Sequence, residues 1–254
     1  MRTHTRSGQK RRQAWGVMLL LPIVLLGGAC GIFDAPPPLP RTTPTAENLL
    51  SNPRFEDGDT PWIAGKQAGA QGFTVSDTVA HSGSHSLSLR LDGDASATGT
   101  GIAGASQTIN PQAFPDYISG YFRVDEWRSS ATFQYLEFVI SVRGGDFGDD
   151  IDVHELRFPL GGLDRQPPLP PNVQYLFLAR AQPVLHQWVY FDYPLTQAFT
   201  RAGKLPTRWT SIDVRFEARY DAKTAEQPAT SAQVYFDDLY AGPQANNPNR
   251  PPAP

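Results

Sequence analysis

Four stretches of this chain alternate apolar and polar residues with a period of two, and that alternation restricts its fold more than any other feature. Over 84–91, Leu87, Leu89 and Leu91 fall on one side and Ser86, Ser88 and Arg90 on the other. Over 117–127, Ile118, Phe122 and Val124 oppose Tyr117, Tyr121, Arg123, Asp125 and Trp127. Over 132–143, Leu136, Phe138, Ile140 and Val142 oppose Tyr135, Glu137, Ser141 and Arg143; over 209–220, Ile212, Val214 and Phe216 oppose Asp213, Arg215, Glu217 and Arg219. Successive side chains of a strand point to opposite faces, so each stretch reads as a strand buried on one side. Further strands are predicted at 72–79, 101–109, 153–158, 173–179, 187–193 and 233–240, and a single short helix at 195–202. About ten half-buried strands, with 24 Pro and 22 Gly to turn between them, predict an all-β, antiparallel sandwich.

The ends of the chain read differently. Residues 1–29 hold five basic residues and no acidic one, followed by the apolar run 17–26, which is the layout of a signal peptide and short for a membrane span. Cys30 is the only cysteine, so no intrachain disulfide can form. Small residues directly before a lone cysteine resemble a bacterial lipobox, although Gly27 stands where leucine is usual. The resemblance implies that Cys30 is lipidated and heads the mature chain, holding it to a membrane at the cell surface or periplasmic face. Ordinary cleavage near Ala29 and an uncleaved anchor are the alternatives. Residues 30–46 then form a proline-rich tether, 47–242 the folded domain and 243–254 a tail expected to be disordered. Without residues 1–29 the chain has 17 basic against 25 acidic groups, and a net charge of −8 argues against nucleic acid as a partner.

Three short pieces carry a family resemblance: S-N-P-R-F-E-D-G-D-T-P-W at 51–62, H-S-G-S-H-S-L-S-L-R at 81–90 and V-Y-F-D-D-L-Y at 234–240. Together they resemble carbohydrate-binding modules of the CenC type, which are galactose-binding-like jelly rolls. The likeness covers about Asn48 to Gly242. The run from Trp188 through Phe199, Gly203 and Pro206 to Trp209 is similar to the last third of modules in the same superfamily. The resemblance implies a jelly-roll β-sandwich and a structural Ca²⁺ clipping the first and last strands. Its ligands would be Glu56, carbonyls in the loop from His81 to His85, and Asp237 or Asp238. It also implies a polysaccharide or oligosaccharide partner; a monomer is expected.

Sugars present apolar C–H faces and many hydroxyls, so their sites combine flat rings with planar hydrogen-bonding groups. The polar sides of the alternating stretches offer that mixture in Tyr117, Tyr121, Arg123, Trp127, Tyr135, Glu137 and Arg215, with Asp125, Trp209 and Glu217 beside them. If their strands are neighbours, these residues line one concave sheet. Two other classes compete. A structural or protein-interaction lipoprotein would use the sandwich as a scaffold and need no such groove. A hydrolase would use the run from Asp150 to Glu155, which resembles the E-x-D-x-x-E strand of laminarinase-type glycoside hydrolases with Asp150 in place of the family's Glu. The flanking aromatics of that family are missing, and the expectation is a non-catalytic binding module.

Overall fold

The alternating stretches become the long strands of a two-sheet sandwich. The computed structural model describes residues 48–65 and 70–249. In chain order the strands are β1 (Ile63–Ala64), β2 (Ala70–Gln71), β3 (Phe73–Ser76), β4 (Ser86–Gly93), β5 (Gly99–Ile109) and β6 (Tyr117–Arg128). There follow β7 (Phe133–Arg143), β8 (Val153–Gly161), β9 (Val173–Tyr175) and β10 (Trp188–Pro194), then helix α1 (Leu195–Arg201), β11 (Ser211–Lys223) and β12 (Thr230–Gly242). One sheet has seven strands in the order β1-β5-β11-β7-β8-β9, with β2 also beside β5; the other has five, β10-β6-β12-β4-β3. Pairing is antiparallel except for β2 with β5 and β8 with β9. The fold is the all-β sandwich that the alternation predicts, with the jelly-roll class that the resemblance implies.

The core lies between the sheets and is built from the apolar side of each alternation. Leu87, Leu89, Leu91, Phe138, Ile140, Val214, Phe216, Val234 and Phe236 have no exposed surface. Phe216 of β11 and Phe236 of β12 meet across the sandwich with ring centroids 5.1 Å apart. Full burial of such a side chain stabilises the fold by about 1.5–3 kcal/mol. Helix α1 covers one end with Leu195, Ala198 and Phe199, whose i, i+3, i+4 spacing gives it one buried face, and stops at Gly203 with φ +66°.

The two ends of the domain are joined as expected. The Leu49 N–H donates to the Ala241 carbonyl at 2.8 Å, and Leu239 N–H to the Pro53 carbonyl at 3.0 Å. The tail from residue 243 departs from expectation. It makes a 3-10 turn at Gln244–Asn246, and its described part packs onto β6: Asn247 is buried and accepts a 2.8 Å hydrogen bond from Ser119 Oγ. Polar side chains that find partners on a sheet face order a segment that has no apolar periodicity. Cys30, the leader and the tether lie outside the described residues.

Candidate functional site

The predicted ligand residues do not share a face. β6 belongs to the five-stranded sheet and β7 and β11 to the seven-stranded one, so Tyr117, Tyr121 and Arg123 are separated by the whole sandwich from Tyr135, Glu137 and Arg215. Trp127 changes side altogether. The β6–β12 register shifts between Glu126 and Val124, a bulge that turns Trp127 back toward the core, where it packs against Gly162 and donates from Nε1 to Gln182 at 2.7 Å. Trp209 precedes β11 and packs edge-on against Phe114. Tyr135 and Glu137 do leave the core, but neither is exposed. The segment after β8 folds over them, so that Tyr135, Leu163 and Tyr175 form a second, smaller buried cluster with Phe133, Leu169 and Phe177 against it.

On the outer face of the seven-stranded sheet lies a network of locked ion pairs that the alternation only partly announces. Arg157 Nη1 donates to Glu137 Oε1 at 2.7 Å and its Nε to Glu155 Oε1 at 2.6 Å. Arg215 reaches Glu155 Oε2 at 2.6 Å, Glu217 Oε1 at 3.0 Å and Ser141 Oγ at 2.9 Å. Arg219 pairs with Asp221, which also accepts a 2.7 Å bond from the Tyr135 hydroxyl, and Arg143 pairs with Asp213. Burial would raise the Glu155 carboxyl, but Arg215 and Arg157 outweigh it and hold it at about 2. Glu137 goes the other way: burial drives it up to about 8, opposed by Arg157 and helped by Glu217. Glu137 and Glu217 are register partners on β7 and β11, and like charges placed directly opposite repel, so retention of a proton on Glu137 relieves both.

Two hollows open on this face. One, of about 410 Å³, is lined by Ile102, Thr108, Asp213, Arg215 and Glu217. The other, of about 330 Å³, is lined by Phe133, Arg157, Tyr175, Arg219 and Asp221 under a rim of prolines at 167–170. Glu217, only 3% exposed, is part of the first wall; its Oε1 accepts from Arg215, and its Oε2 is enclosed, 3.8 Å from Arg157 Nη1 and 4.0 Å from Arg219 Nη1. Each guanidinium here is already satisfied by carboxylates. The planar groups in the walls of the two hollows are thus held rigid by one another.

The expected calcium ligands do assemble in one place, around the loop 81–85. Their oxygens are nonetheless engaged. Asp237 Oδ2 accepts the N–H groups of His81 at 2.8 Å and Ser82 at 3.1 Å, and its Oδ1 accepts that of Asp238 at 2.7 Å. Glu56 Oε1 accepts the N–H groups of Ser84 at 2.8 Å and His85 at 3.1 Å, while its Oε2 faces His85 Nδ1 at 3.2 Å. Asp238 meets His81 Nδ1, the Ser82 hydroxyl and Arg54. Ca²⁺ takes six to eight oxygens with free lone pairs. This loop offers N–H donors instead, and no group of three or more acidic, His or Cys side chains suited to a metal occurs among the described residues. The donor set does not fit the ion.

The hydrolase run is also dispersed. β8 begins at Val153, leaving Asp150 and Asp152 in the preceding loop, so no two of its acids alternate along one strand face except through Glu155 itself. Asp149 bonds His154 at 2.9 Å and Lys204 at 3.0 Å, and Asp146 bonds the Thr207 and Arg208 backbone, all of which hold the loop in shape.

No protein-family model and no curated protein matches the sequence. Among solved structures the chain is similar to a family 61 carbohydrate-binding module in complex with β-1,4-galactotriose, at 14% identity and a TM-score of 0.41 over 77% of this chain and 97% of that one. It is similar to a family 16 carbohydrate-binding module at 13% identity and 0.41, covering 76% and 99%. An endo-β-1,4-glucuronan lyase from the fungus Trichoderma reesei is similar at 13% identity and 0.41, covering 74% and 93%. Binding modules and an enzyme stand side by side at the same score, and the ligand must be argued from the site.

Proposed function

We propose that this chain is a non-catalytic carbohydrate-binding module, displayed on a secreted lipoprotein held to the membrane through Cys30. In this reading the glycan lies along β11 on the outer face of the seven-stranded sheet, across both hollows. The observation that carries it is the row of guanidinium and carboxylate groups in the walls of the two hollows, Arg215 and Glu217 in one and Arg157, Arg219 and Asp221 in the other, which fix one another's geometry. A buried ion network is poor evidence for stability, since desolvation offsets most of its attraction. Such a network does hold planar donors and acceptors rigid, and rigid polar groups lower the ordering cost of binding a flexible polyol. Catalysis is disfavoured because Glu137, the carboxyl that keeps its proton, has no exposed surface and lies against Arg157, where no glycosidic oxygen can touch it.

A glycan array probed with the chain from residue 31 onward tests the reading. Binding to at least one polysaccharide, weakened by Glu217→Gln, is expected; a blank array contradicts it. The anchor is tested separately by labelled fatty acid, which should enter the wild type and not Cys30→Ala. The scaffold reading has one observation of its own, the burial of Tyr135 and the partial burial of Trp127, rings that a stacking site would leave open. A blank array together with a protein captured by the exposed Val184–Leu185 corner would favour it.

A further inference from the structure

The groove on the seven-stranded sheet does not stop at its two hollows. A third, of about 460 Å³, opens at the edge of β5 beside the hollow that holds Arg215, and the two share Ile63 and Thr108 as walls. The short strand β1 builds that ridge: Ile63 is the register partner of Ser106 and stands 46% exposed between the hollows. Leu49, Pro61, Ile109 and Pro111 make up the rest of the apolar lining. The polar lining is spent on the protein itself. Gln107 Oε1 accepts the Ser51 N–H at 2.8 Å and its Nε2 donates to the Ser51 carbonyl at 3.0 Å, while the Thr108 hydroxyl donates to Asp213 at 2.6 Å. The Asn110 amide, turned to suit its neighbours, donates to the Ile109 and Thr210 carbonyls at 3.1 Å.

We propose that this third hollow is a subsite for acetyl substituents on the glycan, an assignment that rests on reading the groove as the glycan site. The hollow is continuous with the groove, so its occupant is carried by the ligand that lies there. Among the described residues no charged side chain lines it, in contrast to the guanidinium and carboxylate walls next door. A uronate, sulfate or amine therefore finds no counter-charge to offset its desolvation. A bare sugar ring suits it little better, because hydroxyls taken from water need partners and the local donors and acceptors are already paired. A neutral group tipped by a methyl gains instead by covering Ile63 and the two prolines. The rim at Ser51, Pro61 and Asn110 is exposed, so the acetyl oxygen keeps its water. Ester-linked and amide-linked acetyl groups share this chemistry.

The test titrates the chain from residue 31 onward with two matched pairs: acetylated xylan against the same xylan stripped of acetyl by alkali, and chitohexaose against cellohexaose. The first pair reads the ester and the second the amide. In at least one pair the acetylated member is expected to bind about fivefold more tightly than its bare partner. Ile63→Ser, at an exposed position that leaves the core untouched, should bring that ratio close to one, with binding of the bare backbone within about twofold of wild type. Equal affinity within both pairs overturns the subsite and leaves the binding-module reading standing. So does a preference that survives Ile63→Ser. Binding to none of the four glycans overturns it as well, and a blank array in addition would sink the module reading itself.

Discussion

The sandwich has two outer faces that look alike in sequence and differ in use. On the five-stranded sheet the face is aromatic, with Tyr117, Tyr121, Trp188 and Tyr190 beside the Arg123–Asp125 pair, and the loop 81–85 and the C-terminal segment dock on it. His81 stacks on Tyr121 with centroids 3.6 Å apart, Gln244 Nε2 donates to the Tyr117 hydroxyl at 2.9 Å, and Asn247 reaches the Tyr190 hydroxyl. On the seven-stranded sheet the face is ionic, its rings lie below the rim, and it keeps two hollows walled by paired charges. The contrast teaches that outward aromatic residues do not by themselves mark an open surface. They are equally good places for a passing segment to dock, since a half-buried ring rewards any apolar cover.

The ionic face should be the more fragile of the two. Arg157→Ala takes one of two cations from the ionised Glu155 and the donor from the buried Glu137 carboxyl, and removal of one partner from a buried pair costs about 3–5 kcal/mol. Urea denaturation of this variant against Arg123→Ala, whose pair is partly exposed and worth about 1 kcal/mol or less, measures the difference between the faces directly. Equal losses would erase it.

A second effect separates the faces by pH. Glu137 retains its proton in the fold up to about 8, whereas the unfolded chain releases it near 4.5, so between those values the native state binds more protons and stability falls as pH rises. Glu137→Gln removes that fall. The variant should match wild type at about pH 4 and exceed it at about pH 8, gaining about 1.4 kcal/mol for each pH unit crossed. A wild type whose stability is flat over this window, with no gain in the variant, would mean that Glu137 is ionised in the fold.

The smallest effect concerns the covered face. Ending the chain at Gly242 deletes the bonds from Gln244 and Asn247, each worth about 0.5–1.5 kcal/mol. Tm should drop by a few degrees and Tyr190 should become open to solvent quenching, while the ionic groove is left unchanged. A change in glycan affinity on deleting the tail would link the faces and blur the distinction.

How much of this was readable beforehand follows from the range of the interactions involved. Every long strand was legible, because alternation is local: Tyr117–Arg128, Phe133–Arg143 and Trp188–Pro194 fall within a residue or so of their predicted bounds. The two-residue strands Ile63–Ala64 and Ala70–Gln71 were not, since they exist only as partners of β5. The polar sides were also legible as polar sides, yet three non-local facts decided what became of them. Sheet membership set β6 apart from β7 and β11, a bulge reversed Trp127, and the segment 163–177 closed over Tyr135. Glu155 and Arg157, central to the network, carried a signal that was misread: Glu155 was weighed only as part of a hydrolase run, although the alternation of β8 with β7 puts both acid and base on the groove side. The junction around the loop 81–85 was half legible. The sequence brought Glu56, His81, Asp237 and Asp238 together, but the direction of the backbone N–H groups depends on a loop geometry that residue types do not encode.

The central claim, that the ionic face and not the aromatic one receives the ligand, is tested most directly by calorimetric titration of one glycan identified on the array into Glu217→Gln and Tyr121→Ala. Glu217 lines the hollow of about 410 Å³ and fixes Arg215 through its Oε1, and a hydrogen bond to a charged group contributes about 1.5–3 kcal/mol, so Glu217→Gln should weaken binding by at least about tenfold while Tyr121→Ala stays within about twofold of wild type. Full affinity in Glu217→Gln with loss of binding in Tyr121→Ala would place the ligand on the opposite side of the sandwich.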